Sequence, residues 1–332
     1  MSNYDIIYLG KKAQELGFVR DTLEKVTRLA DILEYLNSNP LLQESLALKG
    51  GTAINLTIFN LPRLSVDIDM DYLVTNSREE MLKNRVRIND TINGYMLSQG
   101  YTRSTKTKNP HSLDSWVYDY IGASGNKDNI KIEINYSLRS HIFPTEKRSI
   151  VTEHFSSSYE VKTLAPIEIY GSKINALLNR AAARDLYDTY NMIRFALFDE
   201  LEEALLKKSI IFYAAISTKS INTTFDIKAI DSITERIIKT ELLPVLKKKD
   251  DFDLEPAKML VREYLSDLMV LTNDEKEFLN RFENGEYVPD LLFENQGIIE
   301  RIIKHPMAVW KTKHIYEKIS LLTSVVERVP GE

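Results

Sequence analysis

The sequence predicts an α+β fold: a first half built on a small mixed sheet, then a mostly helical second half. Three observations carry this. Between Leu46 and Asn135 several segments alternate apolar and polar side chains, the period of a strand with one buried face. Glycine-rich turns, Gly50-Gly51 and Gly122 to Asn126, punctuate them. After Pro166 the alternation stops and apolar residues recur at three- and four-residue steps.

In chain order, residues 21–36 place Leu23, Val26, Ala30, Leu33 and Leu36 on one helix face, and Asn37-Ser38-Asn39-Pro40 ends that helix. Leu46 to Leu48 reads as a short buried strand, broken by Gly50-Gly51. Thr52 is placed to cap a helix running to about Phe59, which Pro62 stops. Leu64 to Val74 alternates as a strand, and residues 78–99 read as a helix. Tyr101–Lys106, Trp116–Ile121 and Ile130–Asn135 are three further β-like segments. Ile167 to Phe198 reads as helix, with Leu186, Tyr190, Ile193 and Leu197 as its core stripe and Asp185 and Asp188 at the polar edge. The polar stretch between Ser149 and Pro166, with Ser156-Ser157-Ser158, is the expected boundary, giving domains 1–160 and 161–332.

Composition narrows the function classes. With 43% hydrophobic and 27% charged residues the chain can bury a substantial core. The absence of cysteine excludes disulfides, thiolate metal sites and a cysteine nucleophile, and fits the cytoplasm. No segment approaches the roughly 18 apolar residues of a membrane helix, and the first residues do not form a secretory signal. A net charge of -5 excludes an overall basic protein but leaves room for a local basic stripe.

The sharpest chemistry lies in SVDIDMDYLV. Strand side chains two apart share a face, so Ser65, Asp67, Asp69 and Asp71 point one way. Crowded carboxylates repel unless cations lie between them, and carboxylate oxygens suit Mg2+ or Mn2+, which also bridge triphosphate oxygens. Alternation by itself favours the solvated face of an edge strand; the neighbouring motifs favour the metal site. Gly50-Gly51 lets backbone approach a phosphate closely, and a following helix start favours negative charge. Most Gly-Gly pairs are nevertheless plain turns. In NIKIEINYS, Lys131, Glu133 and Asn135 share a face. If that strand lies beside the Asp67 strand, Glu133 completes the acidic cluster as metal ligand or base; alone it reads as a surface glutamate.

Lys173, Arg180 and Arg184 would form one basic stripe on a continuous helix, able to hold triphosphate oxygens or simply face solvent. On one straight helix Asp185 stands about a third of a turn from Lys173; a kink or break near Ala181–Ala183 would help both reach one cleft, although alanine is a poor breaker. Asp188 is spaced to pair with Arg184. Arg78, Lys83, Arg85, Arg87, Arg103, Lys106 and Lys108 form a local basic excess that could follow an RNA backbone or merely solvate a helix. Ser65, two residues before Asp67, is either a phosphorylation switch or a plain hydrogen-bonding residue.

The strand, Gly-Gly, helix, Asp-x-Asp strand and later lone acid follow the layout of polymerase β-like nucleotidyltransferases. LALKGGTAINL…LPRLSVDIDMDY and IEIYGSKINALLNRAAARDLYDTYNM resemble the AbiEii/AbiGii-type nucleotidyltransferase toxins of abortive-infection (phage defence) and type IV toxin–antitoxin systems, between about Leu46 and Met192. The resemblance implies a polymerase β-like catalytic domain. It also implies transfer of a nucleotide from an NTP to RNA, notably the tRNA 3′ end, which blocks translation, and a cognate antitoxin as partner. It carries over Lys173 as an NTP-contacting lysine and Asp185 as a further active-site acid; with the residue reading above, Asp67, Asp69 and Glu133 are the expected catalytic metal ligands, and Gly50, Gly51, Thr52, Ser65, Lys173, Arg180 and Arg184 the expected nucleotide contacts. The helical half would complete the active site and shape the acceptor groove. Nucleotidylation of a small molecule or protein, or an idle NTP-binding module, are the competing readings.

Overall fold

The computed structural model describes residues 4–108, 112–150, 159–217 and 225–326. Two compact units divide the chain: Met1–Arg139 with Pro144–Ile169 and Ile233–Glu255, and Ser140–Phe143 with Tyr170–Ser232 and Pro256–Glu332. Ser156-Ser157-Ser158 lies outside the described residues.

The first unit begins with α1 (Ile6–Leu16), capped by the Asp5 side chain, and α2 (Arg20–Ser38). Leu23, Val26, Leu29, Ala30, Leu33 and Leu36 of α2 are buried, as their spacing predicts. Asn39 ends α2 and also caps a short helix that the sequence reading missed, α3 (Pro40–Ser45), accepting from the Leu42 amide at 3.3 Å. Strand β1 (Leu46–Lys49) runs straight into α4 (Gly50–Ala53), which continues as a wider π turn, Ile54–Ile58. Thr52 therefore lies inside the helix and does not cap it: the helix starts at Gly50, with Lys49 in the cap position. Strand β2 (Asp67–Tyr72) is shorter than expected, because Leu64 hydrogen-bonds Val245 instead of continuing the strand pairing.

Helix α5 (Arg78–Ser98) opens on a Ser77–Glu80 capping box. The expected strand at Tyr101–Lys106 reduces to β3 (Thr102–Arg103), since the chain turns with Thr107 N–H bonding Ser104 O. Then follow β4 (Leu113–Ile121), β5 (Lys127–Asn135), β6 (Glu146–Ser149) and β7 (Glu160–Thr163). The seven strands form one mixed sheet in the order β3-β4-β5-β2-β1-β7-β6. One face is apolar: Ile68, Met70, Trp116, Tyr118, Ile130, Ile132 and Ile134 are all buried. Each such side chain contributes about 1.5–3 kcal/mol on leaving water, which pins the strand register, because a one-residue slip would bury the acids instead. Helices α2 and α5 are held to each other by the stacked rings of Tyr35 and Tyr95, 3.7 Å apart, and Tyr118 hydroxyl reaches Asn93 on α5. The segment 233–255 adds only the single turn α9 (Glu235–Ile237) and short irregular helical turns.

Helix α6 (Pro166–Arg180) leads into the second unit, which is helical: α7 (Ala183–Arg194), α8 (Glu200–Ile216), α10 (Leu254–Leu268), α11 (Asn273–Glu283), α12 (Gln296–Ile302) and α13 (Pro306–Val326). Its core includes Phe212, packed edge-on to Phe293 and His305. An ion pair at 2.7 Å between half-buried Lys207 and buried Glu275 joins α8 to α11. The helix expected over Ile167–Phe198 is interrupted at Ala181, whose φ is +49°, and Ala182.

Candidate active site

Three adjacent strands at the middle of the sheet place the acids. Strand β2 pairs in parallel with β5, setting Asp69 opposite Glu133, Asp67 opposite Lys131 and Asp71 opposite Asn135. On its other side β2 pairs antiparallel with β1, setting Asp69 opposite Lys49. Neighbouring strands stand about 4.8 Å apart, so Asp69 lies between a lysine and a glutamate one strand away on each side. Asp67 and Asp69 share the face opposite the buried Ile68 and Met70. The expected adjacency of the Asp67 and Glu133 strands thus holds.

The glycine bend is built against this platform. Gly50 has a φ of +67°, and a Cβ there would stand 2.8 Å from Asp69 Oδ2. A Cβ on Gly51 would stand 2.7 Å from Arg63 Nη2 and 3.1 Å from Ser65 Oγ. Gly50 thus combines a left-handed φ with a close approach to Asp69, and Gly51 fits closely against Arg63 and Ser65. The Thr52 hydroxyl donates to the Asp67 carbonyl and lies 2.9 Å from the Ser65 hydroxyl. This ties the first turn of α4 to the start of β2. Ser65 is buried, 9% exposed, and fills the plainer of its two expected roles, a hydrogen-bonding one.

Charge is unevenly distributed over the platform. Burial pushes the Asp69 carboxyl up to about 6; Lys49 opposes this, while the charges of Asp67 and Glu133 add to it. Asp71, fully buried, is claimed by Lys49 Nζ at 2.5 Å, so the fourth member of the expected stripe serves an internal ion pair. Glu133 is held by Lys131 at 2.8 Å. Among the described residues no three acidic, histidine or cysteine side chains are drawn together as an ion-binding group. The oxygen donors and their register suit a hard divalent cation, and Lys131 holds one of them.

In the second unit, the break at Ala181–Ala182 folds α7 back so that Lys173 Nζ reaches Asp185 at 2.9 Å and Asp188 at 2.8 Å. Arg180 also binds Asp185, at 2.7 Å, while its side chain remains 63% exposed. Burial alone would raise the Asp185 carboxyl, but Lys173 and Arg180 together hold it below the ordinary aspartate value. Asp188 pairs with Lys173, where spacing had suggested Arg184, and both acids lie in the core at 3% and 1% exposure, not at its polar edge. The buried side of α7 centres on Leu186, Thr189 and Met192, whereas Tyr190 and Ile193 are half-exposed. Lys173 and Arg180, both on α6, thus converge on Asp185, while the helix break puts Arg184 on α7 and out of the single basic stripe.

The basic stretch of the first unit also divides. Arg85 grips Asp114 through two nitrogens, at 2.7 and 3.1 Å, and lies over the Tyr136 ring. Lys83 pairs with Glu79 on the exposed face of α5. Arg87, Lys106 and Lys108 are exposed. Arg63 and the Lys131 latch were missed at the sequence level. The only signal for Arg63 was a lone charge within the apolar run LPRLSV.

An Asp-x-Asp strand beside a third acid, with a glycine bend in contact with the second aspartate, is the frame of a nucleotidyltransferase. The profile of the family described as "Nucleotidyl transferase AbiEii toxin, Type IV TA system" matches residues 31–285, well over half of the chain. The protein belongs to this AbiEii family of nucleotidyltransferase toxins. Among solved structures, MenT4, a nucleotidyltransferase toxin from Mycobacterium tuberculosis H37Rv, is similar with a TM-score of 0.58 at 16% identity. The match covers 91% of this chain and 98% of that one, and at this identity it speaks for the fold. No curated protein matches. Among the described residues, no helix is long and apolar enough to cross a membrane.

Proposed function

We propose that the protein transfers a nucleotide from an NTP to an RNA acceptor, the tRNA 3′ end in the first instance, and thereby blocks translation in the cytoplasm. The observation that carries this is the contact of Gly50 with Asp69, in register with Glu133 on the next strand. It sets the bend beside Asp69, on the strand that also carries Asp67 and next to the strand that carries Glu133. Asp67, Asp69 and Glu133 would hold magnesium, whose chemistry is to neutralise triphosphate charge and polarise the reacting phosphate. The amides of Gly50 and Gly51 grip the polyphosphate, and Thr52 and Ser65 fix those amides relative to Asp67. Lys131 holds one of the two Glu133 oxygens and so competes with a cation for that carboxylate.

For Lys173 and Asp185 we keep the roles implied by the family as a separate proposal: Lys173 meets a nucleotide phosphate by exchanging one of its two carboxylates for it. Lys173→Met should then raise the KM for NTP. The exposed Arg180 and the half-buried Arg184 would assist. The family implies a cognate antitoxin as partner.

The test is incubation with each α-labelled NTP, total RNA and magnesium. Label on tRNA, lost in Asp69→Ala, supports the proposal. Label on protein or small molecules only, or NTP binding without transfer, would replace it with the corresponding alternative.

A further inference from the structure

Behind the glycine bend stands a buried cation. Arg63 is 2% exposed. Its Nη1 donates to the Leu64 carbonyl at 3.0 Å, and its amide donates to Asn55 Oδ1 at 3.3 Å. Asn55 Nδ2 in turn donates to the Gly51 carbonyl at 2.7 Å. Pairing of Arg63 with Leu246, and of the Leu64 amide with the Val245 carbonyl at 2.8 Å, fixes the backbone on the far side. The guanidinium is thereby pressed against Gly51, where even a methyl group would come within 2.7 Å of Nη2. Burying an arginine is costly, and a charge held this firmly against one turn acts on whatever that turn binds.

We propose that Arg63 is a positioning residue for the polyphosphate: its guanidinium backs Gly51, its amide fixes Asn55, which holds the Gly51 carbonyl, and it supplies a positive charge from inside the protein. This rests on the reading above that the bend grips a polyphosphate. Gly51 fits closely against the Arg63 guanidinium, which gives the lone charge in an apolar run a place. Because the charge is buried and fixed, it is already in place before the ligand arrives and is poorly screened by salt.

The experiment measures binding of inorganic tripolyphosphate with magnesium to the full chain by calorimetry, at several salt concentrations. Arg63→Met should weaken binding by roughly ten- to a hundredfold, the loss expected for a charge-assisted contact. It should also raise the KM for NTP much more than it lowers kcat, whereas Arg63→Lys should recover most of the affinity. A merely structural arginine would not give rescue by lysine with a KM-specific loss. Folded Arg63→Met that binds tripolyphosphate as the unaltered chain does overturns the proposal while leaving the proposed function intact. Failure of the unaltered chain to bind tripolyphosphate overturns both. Should Arg63→Met not fold, the Arg63 Nε–H signal in NMR, assigned by its loss in Arg63→Lys, must shift on titration with tripolyphosphate. An unmoved signal overturns the proposal equally.

Discussion

Replacing Gly50 with alanine should separate two effects that a turn glycine usually confounds. The first is backbone strain: at φ +67° a non-glycine residue is disfavoured, by about 1–2 kcal/mol. The second is specific to this fold: the new methyl would stand 2.8 Å from Asp69 Oδ2 and 3.4 Å from Asp69 Cβ, so the carboxylate must swing away. Gly125 provides the control. Its φ is +81° and a Cβ there meets nothing within 4 Å, so Gly125→Ala bears strain without the clash. Both variants should lose about 1–2 kcal/mol in urea unfolding, Gly50→Ala somewhat more. Nucleotide transfer from labelled NTP should differ far more. Gly125→Ala should retain nearly full activity, while Gly50→Ala should lose about 100-fold or more, as expected when a reacting group is displaced by about 1 Å. If the two variants lose activity equally, the contact between the glycine bend and Asp69 has no bearing on catalysis.

Three further outcomes follow from the ion pairs. Lys131→Ala frees Glu133, so the magnesium concentration for half-maximal transfer should fall about two- to fivefold, the worth of a partly exposed pair; an unchanged or higher requirement refutes the latch. Asp185 titrates lower in the folded state than in the unfolded one, so its stabilisation is complete above about pH 4 and disappears as pH falls through the lower folded value. Asp185→Ala should cost about 3–5 kcal/mol at neutral pH, by breaking a buried network, and should flatten the acid limb of a stability profile measured by urea unfolding; an unaltered limb refutes the assignment. Because Arg85 is committed to Asp114, Arg85→Ala should lower stability, while Arg87→Ala and Lys106→Ala should leave stability alone and weaken RNA binding with a flatter salt dependence, read by filter binding. Equal RNA binding in the latter two would remove this surface from the acceptor path.

What was legible in the sequence was whatever depends on local periodicity. The alternation in IKIEIN fixes which face of β5 is buried, because three isoleucines cannot face water together. Since β2 alternates in the same sense, Asp69 and Glu133 had to share the opposite face once the strands became neighbours. The neighbour relation itself was a conjecture, because a parallel pairing 64 residues apart leaves no local trace. The same limit explains the errors. Leu64 pairs with Val245, and nothing near Leu64 announces that partner. Asp71 looked like its fellow acids, yet Lys49 across the sheet neutralises it.

The break at Ala181–Ala182 shows the opposite case, in which a chemical demand was a better guide than propensity. Alanine is the best helix former, so the local sequence argues for one long helix. Asp185 and Lys173 could meet only if that helix broke, and it breaks, with Ala181 at a φ of +49°. Lys173 then bonds two buried carboxylates whose charge would otherwise be stranded in the core. The strain of one left-handed alanine, about 1–2 kcal/mol, is smaller than the several kcal/mol that an unpaired buried charge costs, and so the ion network outweighs alanine's helical preference. Glycine at Ala181 should therefore stabilise the second unit by relieving the strain, which thermal unfolding can measure. A destabilised Ala181→Gly variant would mean that the break is imposed by something other than the network.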